Sequence, residues 1–134
     1  MKASKQSTID LVRRADQRLR ELMDKGLKDL AITSRQYHVM AAVNRMNHPS
    51  QTDLVAATGI DRSTLADVVR RLKNKGLIQR RRSTHDARAY VVRLSDEGKR
   101  LLAAGRPAFD RTEELVSKGP LRESLARVVA QVGA

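Results

Sequence analysis

The stretch DRSTLADVVRRLKNKGLIQRRRSTHDARAYVVR, residues 61–93, decides the fold of this chain. It opens on Asp61, a residue type that caps helix N-termini, and keeps a helical pattern as far as Gly76. At about 100° per residue, one sector of this helix holds only apolar side chains: Leu65, Val68, Val69 and Leu72. The opposite sector holds Ser63, Asp67, Arg70 and Asn74. We therefore expect a helix that packs with one face and presents hydrogen-bonding groups on the other.

Two strand-like runs follow this helix, Leu77–Arg82 and Ala89–Leu94, with a polar segment between them. Such a pattern predicts a β-hairpin. Residues 61–93 hold ten lysines or arginines against three acidic residues, which is +7 of the chain's net charge of +12. A helix with a polar face, followed by a basic hairpin, is typical of a winged-helix protein that binds DNA.

The composition favours a polyanionic partner. The chain has 134 residues, enough for a single domain, and its sequence pI is about 11.0. Lysines and arginines that neutralise phosphates release condensed counterions, so a strongly basic chain suits nucleic acid. One Phe and two Tyr are too few for the aromatic surfaces on which unpaired bases stack. Duplex DNA is therefore the preferred partner.

The same composition argues against several other functions. Without cysteine the chain has no disulfide, thiolate metal site or cysteine redox sensor. His38, His48 and His85 lack the spacing of metal ligands, and no catalytic cluster or glycine-rich phosphate loop is visible. We expect no enzyme activity, no metal and no cofactor. The apolar runs are too short for a membrane span or a signal peptide, so we expect a cytoplasmic protein.

Three helices precede the DNA-reading helix in this interpretation. The first is amphipathic and covers residues 7–25. The second runs from Ser34 to about Asn47, opened by a capping box of Thr33 and Gln36. The third covers residues 51–58, opened by a second capping box, Ser50 with Asp53, and ended by Gly59.

Residues 51–69, QTDLVAATGIDRSTLADVV, have the spacing of a helix-turn-helix, with Gly59 in the turn. Glycine suits that position because a Cβ would oppose the backbone conformation of the turn. The alternative is an ordinary helical hairpin inside a globular core. The exposed hydrogen-bonding residues of the second helix, and the basic hairpin behind it, favour DNA binding.

The two ends of the chain suggest a dimer. Ser95 caps a helix that should run to about Lys118, with a bend or break near Gly105 and Pro107. A final short helix carries one apolar face: Leu121, Leu125, Val128, Val129 and Val132. One small core has little room for the apolar faces of both ends, so a two-fold homodimer would bury them. We expect one domain, residues 1–134, with a DNA-binding lobe at 31–95 and dimerisation helices at 1–30 and 96–134.

Candidate DNA contacts lie on the reading helix and the hairpin. On the helix they are Arg62, Ser63, Thr64, Asp67, Arg70, Arg71 and Asn74, and on the hairpin they are Arg80, Arg82, Asp86 and Arg88. Arg70 could bind a guanine bidentately. Asp86 can hold Arg88 for insertion into a minor groove, or the two can form an ordinary exposed ion pair. Strand alternation keeps Arg80, Arg81 and Arg82 from facing one way, so one or two of them should contact DNA; the alternative is an edge strand kept soluble by charge.

These residues resemble the MarR family of bacterial winged-helix regulators. The resemblance rests on residues 54–80, LVAATGIDRSTLADVVRRLKNKGLIQR, with Leu72, Gly76, Leu77 and Arg80 at the family's positions. It rests equally on Asp86-Ala87-Arg88-Ala89 followed by Val92, Leu94, Ser95 and Gly98, which is similar to the family's wing signature. Ser95 stands where threonine is usual, a change that keeps a capping hydroxyl.

The resemblance implies a homodimer that binds a pseudo-palindromic promoter site, with the reading helix in the major groove and Arg88 in the minor groove. It further implies a repressor released by a small aromatic or anionic effector, bound between the dimerisation helices and the DNA-binding lobe. For that site the candidates are Arg35, Tyr37, His38 and Met40. Alternatively Tyr37 and Met40 are core residues, His38 is an interior histidine and Arg35 belongs to the surface.

Two other functions remain open at this point. A winged-helix dimer could coat DNA without sequence preference, as an architectural or nucleoid-associated protein. A winged helix could also serve as a protein-interaction module, in which case its affinity for duplex DNA would not fall steeply with salt.

Overall fold

The computed structural model of the chain describes residues 6–85 and 89–133. Six α-helices and one two-stranded antiparallel sheet lie within those ranges. Their order is α1 (Thr8–Gly26), α2 (Ser34–Arg45), α3 (Gln51–Thr58), α4 (Arg62–Asn74), β1 (Ile78–Arg82), β2 (Tyr90–Leu94), α5 (Asp96–Ser117) and α6 (Leu121–Val132). A short 3-10 turn, Lys28–Leu30, joins α1 to α2. This is the winged helix-turn-helix predicted from the sequence, mainly α with a small β-hairpin wing.

The helix starts confirm the predicted caps. Thr33 and Gln36 form the reciprocal capping box of α2, and Ser50 with Asp53 forms that of α3. Ser95 caps α5 by accepting a hydrogen bond of 3.0 Å from the backbone N–H of Gly98. Its hydroxyl also donates to the backbone oxygen of Gly76 at 2.6 Å, which ties the start of α5 to the end of the reading helix.

The core lies between α2, α3, α4 and the inner face of the hairpin, and it extends to the end of α1 and to α5. The apolar face predicted for α4 is confirmed, because its buried residues are Leu65, Val68, Val69 and Leu72. They meet a fully buried set from the neighbouring elements: Val39, Met40, Leu54, Ile78 and Val92. Burying each such side chain stabilises the fold by roughly 1.5–3 kcal/mol before entropy is counted. The buried face of α4 therefore fixes which face points outward.

The hairpin is anchored at its base. Ile78 pairs with Leu94, Arg80 with Val92, and Arg82 with Tyr90. The backbone N–H of Val92 also donates to the carbonyl of Pro49 at 2.8 Å, which attaches β2 to the segment between α2 and α3. Its tip, including Asp86 and Arg88, lies outside the described residues.

The predicted break in α5 was wrong, because the helix is continuous from Asp96 to Ser117 through Pro107; a bend there stays a prediction. Gly105 serves close packing instead. A Cβ at Gly105 would lie 2.9 Å from Leu27 Cδ2 and 2.9 Å from Tyr37 Cε1. The residue is therefore small because α5 crosses the start of α2 and the end of α1 at short range.

The terminal helices leave large apolar side chains exposed. Ten such residues lie on α1, α5 and α6 among the described ranges: Ile9, Leu11, Val12, Leu22, Leu115, Leu121, Leu125, Val128, Val129 and Val132. Helix α6 buries none of its residues within the chain. Its apolar face is the predicted one, and the described chain leaves the five side chains of that face 40–78% exposed.

Candidate nucleic-acid interface

The turn between α3 and α4 sets the position of the reading helix α4. Gly59 ends α3 in the left-handed conformation, with φ 73°, as its place in the helix-turn-helix predicted. The N–H of Ile60 donates to the hydroxyl of Thr58 at 3.2 Å, and Ile60 packs against the core. Arg62 reaches back from α4 to the hydroxyl of Thr52 at 3.3 Å. These contacts hold the N-terminus of α4 against α3.

Asp61 organises the first turn of α4. Its carboxylate accepts the backbone N–H of Thr64 at 2.7 Å, the Thr64 hydroxyl at 2.8 Å and the Ser63 hydroxyl at 3.1 Å. The backbone hydrogen bond from Thr64 lowers the pKa of Asp61 most, followed by that hydroxyl; Ser63 and the charge of Arg35 lower it further. Since each hydroxyl gives its proton to Asp61, Ser63 and Thr64 present acceptor lone pairs outward.

Asp67 holds two arginines in the middle of α4. It pairs with Arg70 one turn later and with Arg71, whose Nε lies 2.9 Å from Oδ2. The hydrogen bond from Arg71, then that from Arg70, lowers the pKa of Asp67. Both guanidinium-bearing side chains remain mostly in solvent, 66% and 64% exposed. The trio thus carries one net positive charge on the exposed face of α4.

The other predicted contacts also reach solvent where they are described. Arg62, Ser63, Asn74, Arg80 and Arg82 are exposed, while Thr64 and Asp67 are half-buried. Asp86 and Arg88 lie outside the described residues, so their pairing stays a prediction.

The hairpin divides its three consecutive arginines between two faces, as alternation requires. Arg80 and Arg82 share the face of Tyr90, with their guanidinium carbons 4.8 and 5.2 Å from the ring centroid. Arg81 lies on the other face, where it donates to the side-chain oxygen of Gln79 at 3.3 Å. Arg93 donates to the same oxygen at 3.4 Å.

A cavity of about 310 Å³ lies where α1, α2, α5 and the α3–α4 turn meet. Two of the four predicted effector residues, Arg35 and His38, line it. The other wall residues are Asp16, Leu19, Arg20, Met23, Ser34, Thr58, Ile60 and Thr112. Tyr37 and Met40 do not belong to it. Met40 is fully buried, and the ring of Tyr37 stacks on Phe109 with 5.7 Å between centroids.

The cavity has more positive than negative charge. It holds two guanidinium groups, those of Arg20 and Arg35, and one carboxylate, that of Asp16, which pairs with Arg20 at 3.0 Å. His38 lies at the rim, exposed rather than interior. Partial burial, and then the charge of Arg45, lowers the pKa of His38, so its imidazole is neutral near pH 7.

Two residues of α4's end and the hairpin, Lys75 and Tyr90, were not predicted from the sequence. Lys75, at the end of α4, donates to the backbone oxygen of Ala31 and to the side-chain oxygen of Gln36. Its partners are 44 and 39 residues away in the chain, and no local pattern signals them. Tyr90 was the other. Its place directly opposite Arg82 follows from the hairpin register, which the sequence did not define.

Two further observations concern the described ranges, 6–85 and 89–133. No helix there combines the length and the apolar character needed to cross a bilayer. The same ranges contain no group of three or more His, Asp or Glu side chains arranged to hold a metal ion.

A helix-turn-helix joined to a basic β-hairpin defines a winged-helix DNA-binding protein. A sequence model of the MarR family matches residues 31–89. The chain is 32% identical over 105 residues to the transcriptional repressor NicR of Pseudomonas putida, an alignment that covers 78% of this chain and 66% of NicR. The chain belongs to the MarR family of transcriptional regulators. These relatives regulate transcription and are not enzymes, in agreement with the expectation from the sequence.

Solved structures agree on the fold. The regulator BpsR of Bordetella bronchiseptica, whose DNA binding is regulated by 6-hydroxynicotinic acid, superposes with a TM-score of 0.81 at 26% identity, covering 98% of this chain and 95% of that one. MepR of S. aureus in complex with DNA gives a TM-score of 0.82 at 23% identity, covering 95% and 96%. The second likeness, at that identity, concerns the fold alone.

Proposed function

We propose that the chain is a homodimeric repressor that binds a pseudo-palindromic DNA operator and is released by a small aromatic anion. The observation that carries the proposal is the outward face of α4. The opposite face of α4 is buried in the core, so the helix is held in place with Ser63, Arg70 and Asn74 exposed to solvent. Three residues separate the end of that helix from the start of the basic wing.

The side chains divide by chemistry into two roles. Arg70 and Asn74 read base edges, together with the acceptor oxygens of Ser63 and Thr64. Arg62, Arg71, Arg80 and Arg82 bind phosphates and set the register of the protein on the duplex. Asp67 directs Arg70 and Arg71. Arg88, held by Asp86, enters the minor groove beyond the ends of the major-groove contact.

Two copies of residues 31–95 act as the DNA-binding lobes, and residues 1–30 and 96–134 join them. Support comes from the exposed apolar faces of α1 and α6, which a second copy would cover. A two-fold dimer places two reading helices about one helical turn of DNA apart, roughly 34 Å, which matches the half-site spacing of an inverted repeat.

The effector site is the cavity lined by Arg35 and His38. The carboxylate of an aromatic acid would pair with Arg35, and its ring would lie against Leu19, Met23 and Ile60. BpsR supports a hydroxylated pyridine carboxylate as the first compound to try. Because the charge of Arg35 also acts on Asp61, an anion bound to Arg35 would weaken its influence on the cap of α4 and so disturb the reading helix.

The test is selection of preferred sites from random duplex DNA, followed by competition against bulk DNA. A repressor should recover an inverted repeat and prefer it by a factor of about 10³ or more. Aromatic acids are then screened for release, with Arg35→Gln as the variant that should lose the response. Recovered sequences without an inverted repeat, or with no preference over bulk DNA, would instead favour an architectural protein that coats DNA.

The wing arginine gives a separate prediction. Arg88→Ala should weaken operator binding at least about tenfold, as expected for the loss of a charge-assisted minor-groove contact. The role proposed for Arg88 is confined to DNA, so the melting temperature and the dimer should be unchanged. Anisotropy titrations measure the first effect, and a variant that binds like wild type would remove Arg88 from the site.

A further inference from the structure

Tyr90 stands apart from the rest of the described chain. Outside α1, α5 and α6 it is the only large hydrophobic side chain exposed in residues 6–85 and 89–133, at 43%. The DNA-binding lobe otherwise keeps its large apolar groups inside. An exposed ring on a surface made of arginines therefore calls for a reason other than core packing.

The ring lies under two guanidinium groups. The guanidinium carbon of Arg80 is 4.8 Å from the ring centroid, and that of Arg82 is 5.2 Å. Both distances fall within the range where the negative face of an aromatic ring attracts a cation. Arg82 is the direct cross-strand partner of Tyr90, and Arg80 lies two residues earlier on the same face of β1.

This face of the hairpin is rooted in the core. Its inner members Ile78, Val92 and Leu94 are all buried. Val92 is also fixed through its bond to Pro49. Tyr90, two residues before Val92 and nearer the tip, is where the same face of the hairpin reaches solvent. The ring is thus attached by one strand to a rigid base, while the arginines beside it are long and flexible.

We propose that Tyr90 is a positioning residue for DNA binding, whose ring holds the guanidinium groups of Arg80 and Arg82 as a pair directed at operator phosphates. This rests on the proposed function, and it assigns a role to a residue without charge. Two cations brought together repel each other, and each loses side-chain freedom when it binds a phosphate. The ring's negative face offsets the repulsion and removes much of that freedom before DNA arrives. Arg81, on the opposite face, is held by the amide of Gln79 and does not depend on the ring.

The first experiment needs no DNA. Ring currents should shift the side-chain proton resonances of Arg80 and Arg82 upfield in the NMR spectrum of the free protein. Tyr90→Phe should keep these shifts and Tyr90→Leu should abolish them, while Arg81 is unaffected in either variant. Shifts that survive in Tyr90→Leu would overturn the proposal, whatever the protein binds.

The second experiment measures affinity for the selected operator. Tyr90→Leu should weaken binding about fivefold to tenfold, as expected for two exposed cation–π contacts. Tyr90→Phe should bind the operator as tightly as wild type does, since the ring is kept. In an Arg80→Gln/Arg82→Gln background Tyr90→Leu should add almost nothing, whereas in the matched Arg81→Gln background its full effect should remain.

These outcomes separate the two proposals. A loss that persists in full without Arg80 and Arg82, or a failure of Tyr90→Phe to restore binding, would overturn the positioning role while leaving the DNA-binding function intact. A wild-type protein that binds no duplex at all would refute the proposed function, and the ring-current result would then still report whether Tyr90 holds the arginines. Circular dichroism of each variant checks that the fold is retained.

Discussion

Helix α4 and helix α6 follow the same amphipathic pattern, yet their apolar faces end in opposite surroundings. The four apolar residues of α4 are 0–6% exposed, packed against α2, α3 and the wing. The five apolar residues of α6 are 40–78% exposed. Periodicity reports that a helix has an apolar face. It does not report whether the same chain covers that face.

The difference has an energetic meaning. Each buried apolar Å² contributes roughly 25 cal/mol, so the apolar face of α4 gains much more stabilisation from its own chain than that of α6 does. An isolated helix of 12 residues, the length of α6, is marginal in water. We infer that α6, unlike α4, is stabilised mainly by a second copy of the chain.

The largest expected effect comes from a substitution on the buried apolar face of α4. Leu72→Ala should lower the free energy of unfolding by about 2–5 kcal/mol, because it leaves a cavity in a closed core. Urea denaturation followed by circular dichroism measures it. Val129→Ala in α6 is the matched control at high dilution, where it should change stability far less. Equal losses in the two variants would mean that α6 is as well packed as α4.

A substitution on the exposed apolar face of α6 should change dimer association. Val129→Asp would place a charge in the proposed dimer contact and should raise the dissociation constant at least about a hundredfold. Ala130→Asp puts the same charge on the opposite face of α6 and should leave the dimer intact. Sedimentation over a range of concentrations separates them. Two variants that remain dimeric would place the interface elsewhere.

The sequence predicted features that depend on local spacing. The apolar face of α4, the capping boxes at Thr33 and Ser50, and the left-handed Gly59 all follow from residues within a few positions of one another. Features that depend on distant contacts were not predictable. From the sequence alone, Gly105 was expected to interrupt a helix. Its packing against Leu27 and Tyr37 depends on tertiary contacts, which no local pattern shows.

The candidate site divides in the same way. The polar face of α4 could be read from periodicity, and so could the separation of Arg81 from its two neighbours on β1. The position of Tyr90 beneath Arg80 and Arg82 required the hairpin register, and the cavity required the approach of α1, α2 and α5. Of the predicted effector residues, Tyr37 and Met40 are buried in the core, while Arg35 and His38 line the cavity.

A smaller effect should come from the reading face itself. Asp67→Asn removes the carboxylate that holds Arg70 and Arg71, so the face gains one positive charge. Affinity for random DNA should rise about threefold to tenfold, and the salt dependence should steepen by about one unit of slope. Preference for the operator should fall, since the two arginines lose their fixed direction. Asp10→Asn, which frees Arg13 on α1, is the control and should change neither quantity.

The smallest expected effect is a pH dependence at the cap of α4. The pKa of Asp61 is lowered in the folded chain, first by its hydrogen bond from the Thr64 backbone, so the ionised form stabilises the fold. That contribution is complete above the ordinary aspartate pKa of about 4 and is lost as the pH falls through the lowered folded value. Asp61→Asn keeps an acceptor at the cap but removes the titration. Urea unfolding of wild type and variant from about pH 6 to pH 2, both in an Asp67→Asn background that eliminates the other lowered carboxylate of α4, should give a steeper decline for wild type. Parallel curves would mean that the hydrogen bonds at Asp61 are made equally well in the unfolded chain.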